Sequence, residues 1–179
     1  KPLDSIWRRT TERSVTLHSG CLVKSIDIVG KSVQTEKGNV FRYGRLLLAT
    51  GGSPRRLPFG GVDVIYFRTL EDYRRLREHR GKHKHFGVIG GGFIGSEIAA
   101  ALAMNGEKVT MLFPEDGIGA RVYPREITQY LNSYFREKGI EVLPSTSVKD
   151  MKKTGDSFEL ITDTGEALPV DVVIAGIGI

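Results

Sequence analysis

Residues 84–117, "KHFGVIGGGFIGSEIAAALAMNGEKVTMLFPEDG", constrain the fold more than any other part of the chain. A short apolar run leads into a cluster of glycines, then an amphipathic stretch, a glycine stop and a second apolar run. That order predicts strand, tight turn, helix and strand. Gly90, Gly92 and Gly95 stand in G-x-G-x-x-G spacing, with Gly91 between the first two. Gly90 permits the turn out of the strand, Gly92 admits a pyrophosphate close to the backbone, and Gly95 lets the helix pack on the strand. The opening turn of the helix, starting near Phe93, leaves backbone N–H groups pointed at the phosphates with the helix dipole behind them. The unit reads as a dinucleotide site. An acid ordinarily closes such a unit at the tip of the second strand, and here Phe113 holds that place.

The flanking sequence extends the pattern. "TLEDYRRLREHRG" predicts a helix with Leu70, Tyr73, Leu76 and Arg77 on neighbouring turns and Gly81 as its stop. The next helix carries Ile94, Ile98, Ala101 and Leu102 at helical spacing and ends at Gly106. "YPREITQYLNSYFREKG" predicts a third helix, with Pro124 in its first turn, Ile127, Leu131, Tyr134 and Phe135 inward, and Gly139 as its stop. "IEVL" is a strand, "SVKDMKKTGDSFELITDTGEAL" alternates as a meander turning at Gly155 and Gly165, and "VDVVIAGIGI" is a buried strand. The order βαβαβ, meander, β implies a parallel sheet with an antiparallel excursion.

Upstream, alternating stretches around Leu22–Ile28, Ser32–Thr35 and Val40–Tyr43 predict a small meander. "RLLLATGG" reads as a strand buried on both faces, and "SPRRLPFGG" breaks the pattern as a crossover. This divides the chain at 1–59 and 60–179.

Composition bounds the rest. The 179 residues are 40% hydrophobic and 26% charged, with no apolar run of bilayer length. Cys21 is the only cysteine, which excludes an internal disulfide, a CxxC pair and a cysteine zinc site and fits a reducing compartment. No secretory segment precedes the first strand. The net charge of +5 gathers in "RRLREHRGKHKH", Arg74 to His85. Such a run suits an anion or nucleic-acid surface, but it lacks interleaved aromatic residues for base stacking and reads as a solvated helix and turn. Glu97 falls in the predicted first turn of its helix, where the macrodipole stabilises a carboxylate.

"GVIGGGFIGSEIAAALAMNGEKVTMLFPEDGIGARVYPREI" resembles the NADH-binding domain of the flavin-dependent pyridine-nucleotide oxidoreductases, and within them the apoptosis-inducing-factor group. Ferredoxin, rubredoxin and monodehydroascorbate reductases belong to the same broad set. "LLLATGGSPRRLP" is similar to the segment where that family passes from its FAD domain to its NADH domain, and "VIAGIGI" to the return crossing. The resemblance runs from His18 to the chain end. It implies an α/β fold: a doubly wound Rossmann-like parallel sheet with an antiparallel meander, plus a partial FAD-domain segment in 1–59 and an NAD(H)-binding domain in 60–179.

The implied activity is hydride transfer from NADH to FAD, with electrons passed to an acceptor that is a protein or small molecule. By resemblance Gly90, Gly91, Gly92, Phe93, Ile94 and Gly95 seat NAD(H). Phe93 acts as a gate on the nicotinamide, with Glu97 as the catalytic candidate at the nicotinamide and flavin edge. Glu115 takes the adenine-ribose hydroxyls, Arg121 lies near the adenosine end, and Gly178 sits where the chain crosses back. Val23, Thr50, Gly51 and Arg68 match FAD contacts. The "LFPE" of residues 112–115 resembles the apoptosis-inducing-factor group, which places its acid two positions beyond the strand tip. A carboxylate there favours NAD(H) over NADP(H), while Arg121 leaves accommodation of a 2′-phosphate open.

Three family features are missing: the first FAD glycine motif, the C-terminal flavin contact, and the basic partner of the Glu97 position. The chain therefore reads as the middle of a flavoprotein, binding NAD and holding FAD poorly, with turnover belonging to the whole protein. The other reading is an NAD(H)-sensing interaction protein whose ligand controls dimerisation or partner and DNA binding. The compartment is intracellular, mitochondrial for a true apoptosis-inducing factor and cytoplasmic otherwise.

Overall fold

The strand His85–Ile89 shows how the core is built: Phe86, Gly87, Val88 and Ile89 are all buried, so both of its faces are covered. The computed structural model describes residues 15–79, 81, 82 and 84–179. They fall into two compact units that meet between Thr50 and Gly51.

The first unit is a three-stranded antiparallel meander of β1 (Val23–Asp27), β2 (Ser32–Thr35) and β3 (Val40–Arg42), in the order β1-β2-β3. Its strands match the alternation in the sequence, but every residue of β1 is exposed. "RLLLATGG" departs from expectation. Residues 45–50 form no strand, and Leu47 is 87% exposed. A strand buried on both faces needs a neighbour on each edge, and this segment pairs with none of the described residues.

The second unit follows the predicted alternation. Its elements are β4 (Val64–Ile65), α1 (Leu70–Glu78), β5 (His85–Ile89), α2 (Phe93–Met104), β6 (Lys108–Leu112), α3 (Arg125–Glu137) and β7 (Glu141–Leu143). A second meander, β8 (Val148–Thr154), β9 (Ser157–Thr162) and β10 (Ala167–Val170), precedes β11 (Val172–Ala175). The main sheet has the order β4-β11-β5-β6-β7 and all of its pairs are parallel. β4 lies just beyond the crossover segment, in a stretch that the sequence reading left without an element, because two residues carry no periodicity.

Three layers result. Ile98, Ala99 and Leu102 of α2, with Leu131 and Phe135 of α3, cover one face of the sheet over Phe86, Val88, Val109 and Met111. The second meander covers the other face with Phe158, Leu160 and Val170 against Ile89, Leu112 and Val173. Gly87 permits the close approach there, since a Cβ would stand 2.8 Å from Leu160 Cδ1.

The helices sit where expected, and Ile94, Ile98, Leu102, Leu131 and Phe135 face the core as read, but the inward faces of α2 and α3 differ in part. In α2, Ala99 is buried and Ala101 exposed. In α3, Ile127 and Tyr134 are 46% and 41% exposed, while Thr128 and Asn132 are buried. The cause is hydrogen bonding: Asn132 faces inward to satisfy backbone groups of the loop before α3. In α1, Leu70 and Tyr73 are exposed and Leu76 alone reaches the core. The basic run is partly engaged. Arg74 pairs with Glu71, Arg75 donates to Val62 O, and Arg77 lies over the Tyr73 ring. Arg80 and His83 lie outside the described residues.

A polar chain crosses the sheet near the starts of its strands. Buried Thr110 donates to Glu141 Oε2 at 2.6 Å, and His85 Nε2 lies 2.7 Å from Thr110 Oγ1. Burial, and then the charge of Lys108, hold the His85 imidazole below its ordinary pKa. His79 is lowered too, by burial and then by Lys84 and Lys82. As pH falls, the unfolded chain therefore takes up these protons first. Stability is full above the unfolded pKa of about 6.5 and declines below it. The melting temperature should fall between pH 7.5 and 5.5, and less steeply in His85→Gln. A flat or rising profile would contradict the assignment.

Candidate functional site

The glycine turn is a knot of backbone rather than a simple bend. Gly90 ends β5 at φ +117°, a value that favours glycine, and its N–H donates to Leu112 O at 2.8 Å. A Cβ on Gly90 would stand 2.5 Å from Gly176 O, and one on Gly95 would fall on Gly90 O. One on Gly176 would come within 2.8 Å of Gly95 N. Three glycines thus let the end of β5, the start of α2 and the end of β11 touch. Gly176 went unremarked in the sequence. Its signal was a glycine directly after the apolar run "VVIA".

Gly92 is different. A Cβ there would meet nothing nearer than Gly176 O at 4.0 Å, so open space lies over it. Gly92 is also the N-cap of α2 and offers no side chain to the first turn. The N–H groups of that turn therefore face an open seat suited to an anion. Phe93, the first helical residue, is 56% exposed, and its ring meets Tyr123 edge-on at 6.1 Å between centroids. Ile94 turns inward onto the core.

Glu97 is not in the first turn, which holds no acid. It is the fifth residue of α2 and exposed, with no ion pair among the described residues. At that depth in the helix the macrodipole stabilises a carboxylate less than it would in the first turn.

Phe113 is fully buried, and its ring floors the turn. A Cβ on Gly91 would come within 2.8 Å of Phe113 Cγ. The position that ordinarily carries the ribose acid is thus a core position in this chain. Glu115, two residues on, is held by a braced loop. Ser145 N donates to Glu115 O, Thr146 N to Phe113 O, and Gly119 N to Gly91 O, at 2.8, 2.9 and 2.8 Å. Asn132 accepts from Ile118 N and donates to Asp116 O, each at 3.0 Å. Glu115 Oε1 accepts from Arg121 Nε at 2.7 Å and Nη2 at 2.6 Å, so the acid and the guanidinium form one unit. The Arg121 side chain is 71% exposed and the Glu115 side chain 24%.

The crossings lie side by side. Gly178, at φ +100°, accepts from Arg55 N at 2.9 Å. Arg68 Nε donates to Gly52 O at 3.2 Å, and its Nη2 lies 3.2 Å from where a Gly51 Cβ would stand. Val23 begins β1 and Thr50 ends the first unit. The second unit therefore gathers Gly90–Gly95, Glu115, Arg121 and Gly178 around the carboxyl ends of its parallel strands, where α/β sheets take ligands. No group of three or more His, Cys, Asp or Glu is placed to hold a metal among the described residues.

The pyridine nucleotide-disulphide oxidoreductase profile matches residues 7–179. The chain belongs to that family. It is 36% identical over 170 residues to the 3-phenylpropionate/cinnamic acid dioxygenase ferredoxin–NAD(+) reductase component of Photorhabdus laumondii, covering 93% of this chain and 43% of that protein. It is 32% identical to apoptosis-inducing factor 1, mitochondrial, of Dictyostelium discoideum, covering 88% of this chain and 31% of that one. Its fold is similar to that in the covalent putidaredoxin reductase–putidaredoxin complex, with TM-score 0.81, 30% identity, and coverage of 99% and 44% of the two chains. The chain thus spans less than half the length of the relatives it matches. The α/β fold, with its parallel sheet and antiparallel strands, is the fold of these oxidoreductases.

The contact of Gly95 with Gly90 predicts a local stability effect separate from binding. Gly95→Ala should lower unfolding free energy by about 1–3 kcal/mol or more, because neither backbone can yield cheaply. Exposed Glu97→Ala should stay within about 0.5 kcal/mol. Urea titration of both variants checks this, and equal values would contradict the packing argument.

Proposed function

We propose that this chain is the NAD(H)-binding portion, with part of the FAD-binding domain, of an NADH-dependent flavoprotein oxidoreductase. The observation that carries the reading is the open space over Gly92 at the uncapped start of α2, on the same carboxyl edge of the sheet that Glu115 follows. Family membership supports it. In this reading residues 1–59 belong to the FAD domain and 60–179 to the NAD(H) domain.

Each residue then has a stated task. The amides of Gly91, Gly92, Phe93, Ile94 and Gly95 bind the pyrophosphate, with Gly90 shaping the turn. Glu115 accepts from the adenine-ribose hydroxyls and repels a 2′-phosphate, favouring NADH. Arg121 holds Glu115 in place at the adenosine end. Phe93 covers the nicotinamide, and Gly178 lets the returning chain pass close by. Glu97 is proposed as the catalytic residue at the hydride-transfer face. Val23, Thr50, Gly51 and Arg68 would contact FAD, and the guanidinium beside Gly51 and Gly52 suits a pyrophosphate. The flavin, when bound, supplies the acceptor for the nicotinamide hydride.

The partner in this reading is an electron acceptor. A small redox protein is favoured, because a relative is named as a ferredoxin reductase component and a similar structure holds putidaredoxin. The setting is intracellular, mitochondrial for a chain of the apoptosis-inducing-factor type and cytoplasmic otherwise. A second reading, an NAD(H) sensor whose ligand governs homodimerisation or binding of a partner or nucleic acid, rests on the resemblance of "LFPE", residues 112–115, to the apoptosis-inducing-factor group.

Calorimetric titration should show NADH binding to this chain in the micromolar range, and no saturation at roughly millimolar NADH would contradict the reading. Glu115→Ala should cut the preference for NADH over NADPH by roughly tenfold, the scale of a charge-assisted hydrogen bond. An unchanged ratio would move that role elsewhere. In the whole protein, a flavin absorption band bleached by NADH marks the reductase, and a colourless protein marks the sensor.

A further inference from the structure

The loop between β6 and α3 makes two side-chain pairs near the glycine turn. In one Glu115 is bound by Arg121; in the other Tyr123 meets Phe93 of α2. Between them the chain is a tight turn. Val122 N and Tyr123 N both donate to Gly119 O at 2.9 Å, and Gly119 N donates to Gly91 O at 2.8 Å. Gly119 adopts φ +72°, and a Cβ there would stand 2.5 Å from Tyr123 Cδ2. The Tyr123 ring is therefore backed by Gly119 and fronted by the Phe93 ring at 87°. Pro124 follows directly as the N-cap of α3 and fixes the backbone leaving the turn.

Phe93 needs such a support. It is the first residue of α2, more than half exposed. A ring in that position pays rotamer entropy to hold one orientation unless a neighbour restricts it. The edge-on contact with Tyr123 supplies the restriction, and aromatic pairs of this geometry are stabilising beyond their buried area.

We propose that Tyr123 is a positioning residue for Phe93, setting the ring that receives the nicotinamide end of the dinucleotide while leaving the adenosine end untouched. The inference rests on the NAD(H) reading above. It concerns the ring, because the contact is an edge-on pairing of the two rings and the Tyr123 hydroxyl makes no hydrogen bond among the described residues.

The test compares NADH with ADP-ribose, which keeps the adenosine and pyrophosphate and lacks the nicotinamide. Both are titrated calorimetrically into this chain and its variants. Tyr123→Ala should weaken NADH by roughly 3- to 10-fold, the scale of one lost aromatic pair, and leave ADP-ribose unchanged. Tyr123→Phe should bind both ligands as the parent does. In a Phe93→Ala background, Tyr123→Ala should have no further effect on NADH, since its route is gone. An equal loss for both ligands, an additive loss in the double variant, or failure of Tyr123→Phe to restore NADH binding would each overturn the inference. A parent chain that binds neither ligand removes the NAD(H) reading and this inference with it. A parent that binds both, with Tyr123→Ala indistinguishable from it, overturns the inference alone.

Discussion

The backbone contact among Gly90, Gly95 and Gly176 sets the geometry on which the rest of the second unit depends. No side chain fits between these three segments. The start of α2 is therefore drawn onto the ends of β5 and β11, and its N-terminal turn is aimed across the carboxyl edge of the sheet. Close packing of this kind has little slack. It leaves Gly92 open and Phe93 more than half exposed at the start of α2. A helix held even one methyl farther out would lose both relations.

Phe113 shows how one substitution of role propagates. With a buried phenylalanine at the strand tip, the floor under Gly91 is apolar and fixed. The nearest acid is Glu115, two residues on, in the loop that follows. That loop needs its own support, and Asn132 and Thr128 supply it from a helix face that the hydrophobic pattern assigned to solvent. Glu115, Arg121 and Tyr123, the last meeting Phe93 of α2, then sit on one braced segment. The placing of both pairs follows from a single loop.

What the sequence made legible follows from where each constraint lives. The glycine turn was readable because its demands are local: positive φ at Gly90 and missing Cβ atoms at fixed spacing. The helices were placed correctly because Gly106 and Gly139 stop them at defined points, each with φ near +80°. The inward face of α3 was read only in part: Leu131 and Phe135 pack on the core, but Asn132 is buried by its hydrogen bonds to the loop and Thr128 by packing on Gly117, and neither reason is apolarity. Gly176 was passed over because its reason lies in a contact with residues more than eighty positions earlier. Residues 45–50 have strand composition and no strand. Composition reports what a segment tolerates, and pairing depends on neighbours that are absent among the described residues.

The central claim is that a dinucleotide lies over Gly92 between α2 and the Glu115 loop. The most direct measurement is the backbone amide NMR spectrum of the chain titrated with NADH. The account predicts shifts centred on Gly91–Ile94 and on the loop from Glu115 to Gly119, saturating at roughly micromolar concentrations. Shifts gathered instead at the opposite end of the sheet, around Asp63, Arg75 and Lys84, or no shifts at roughly millimolar NADH, would contradict it.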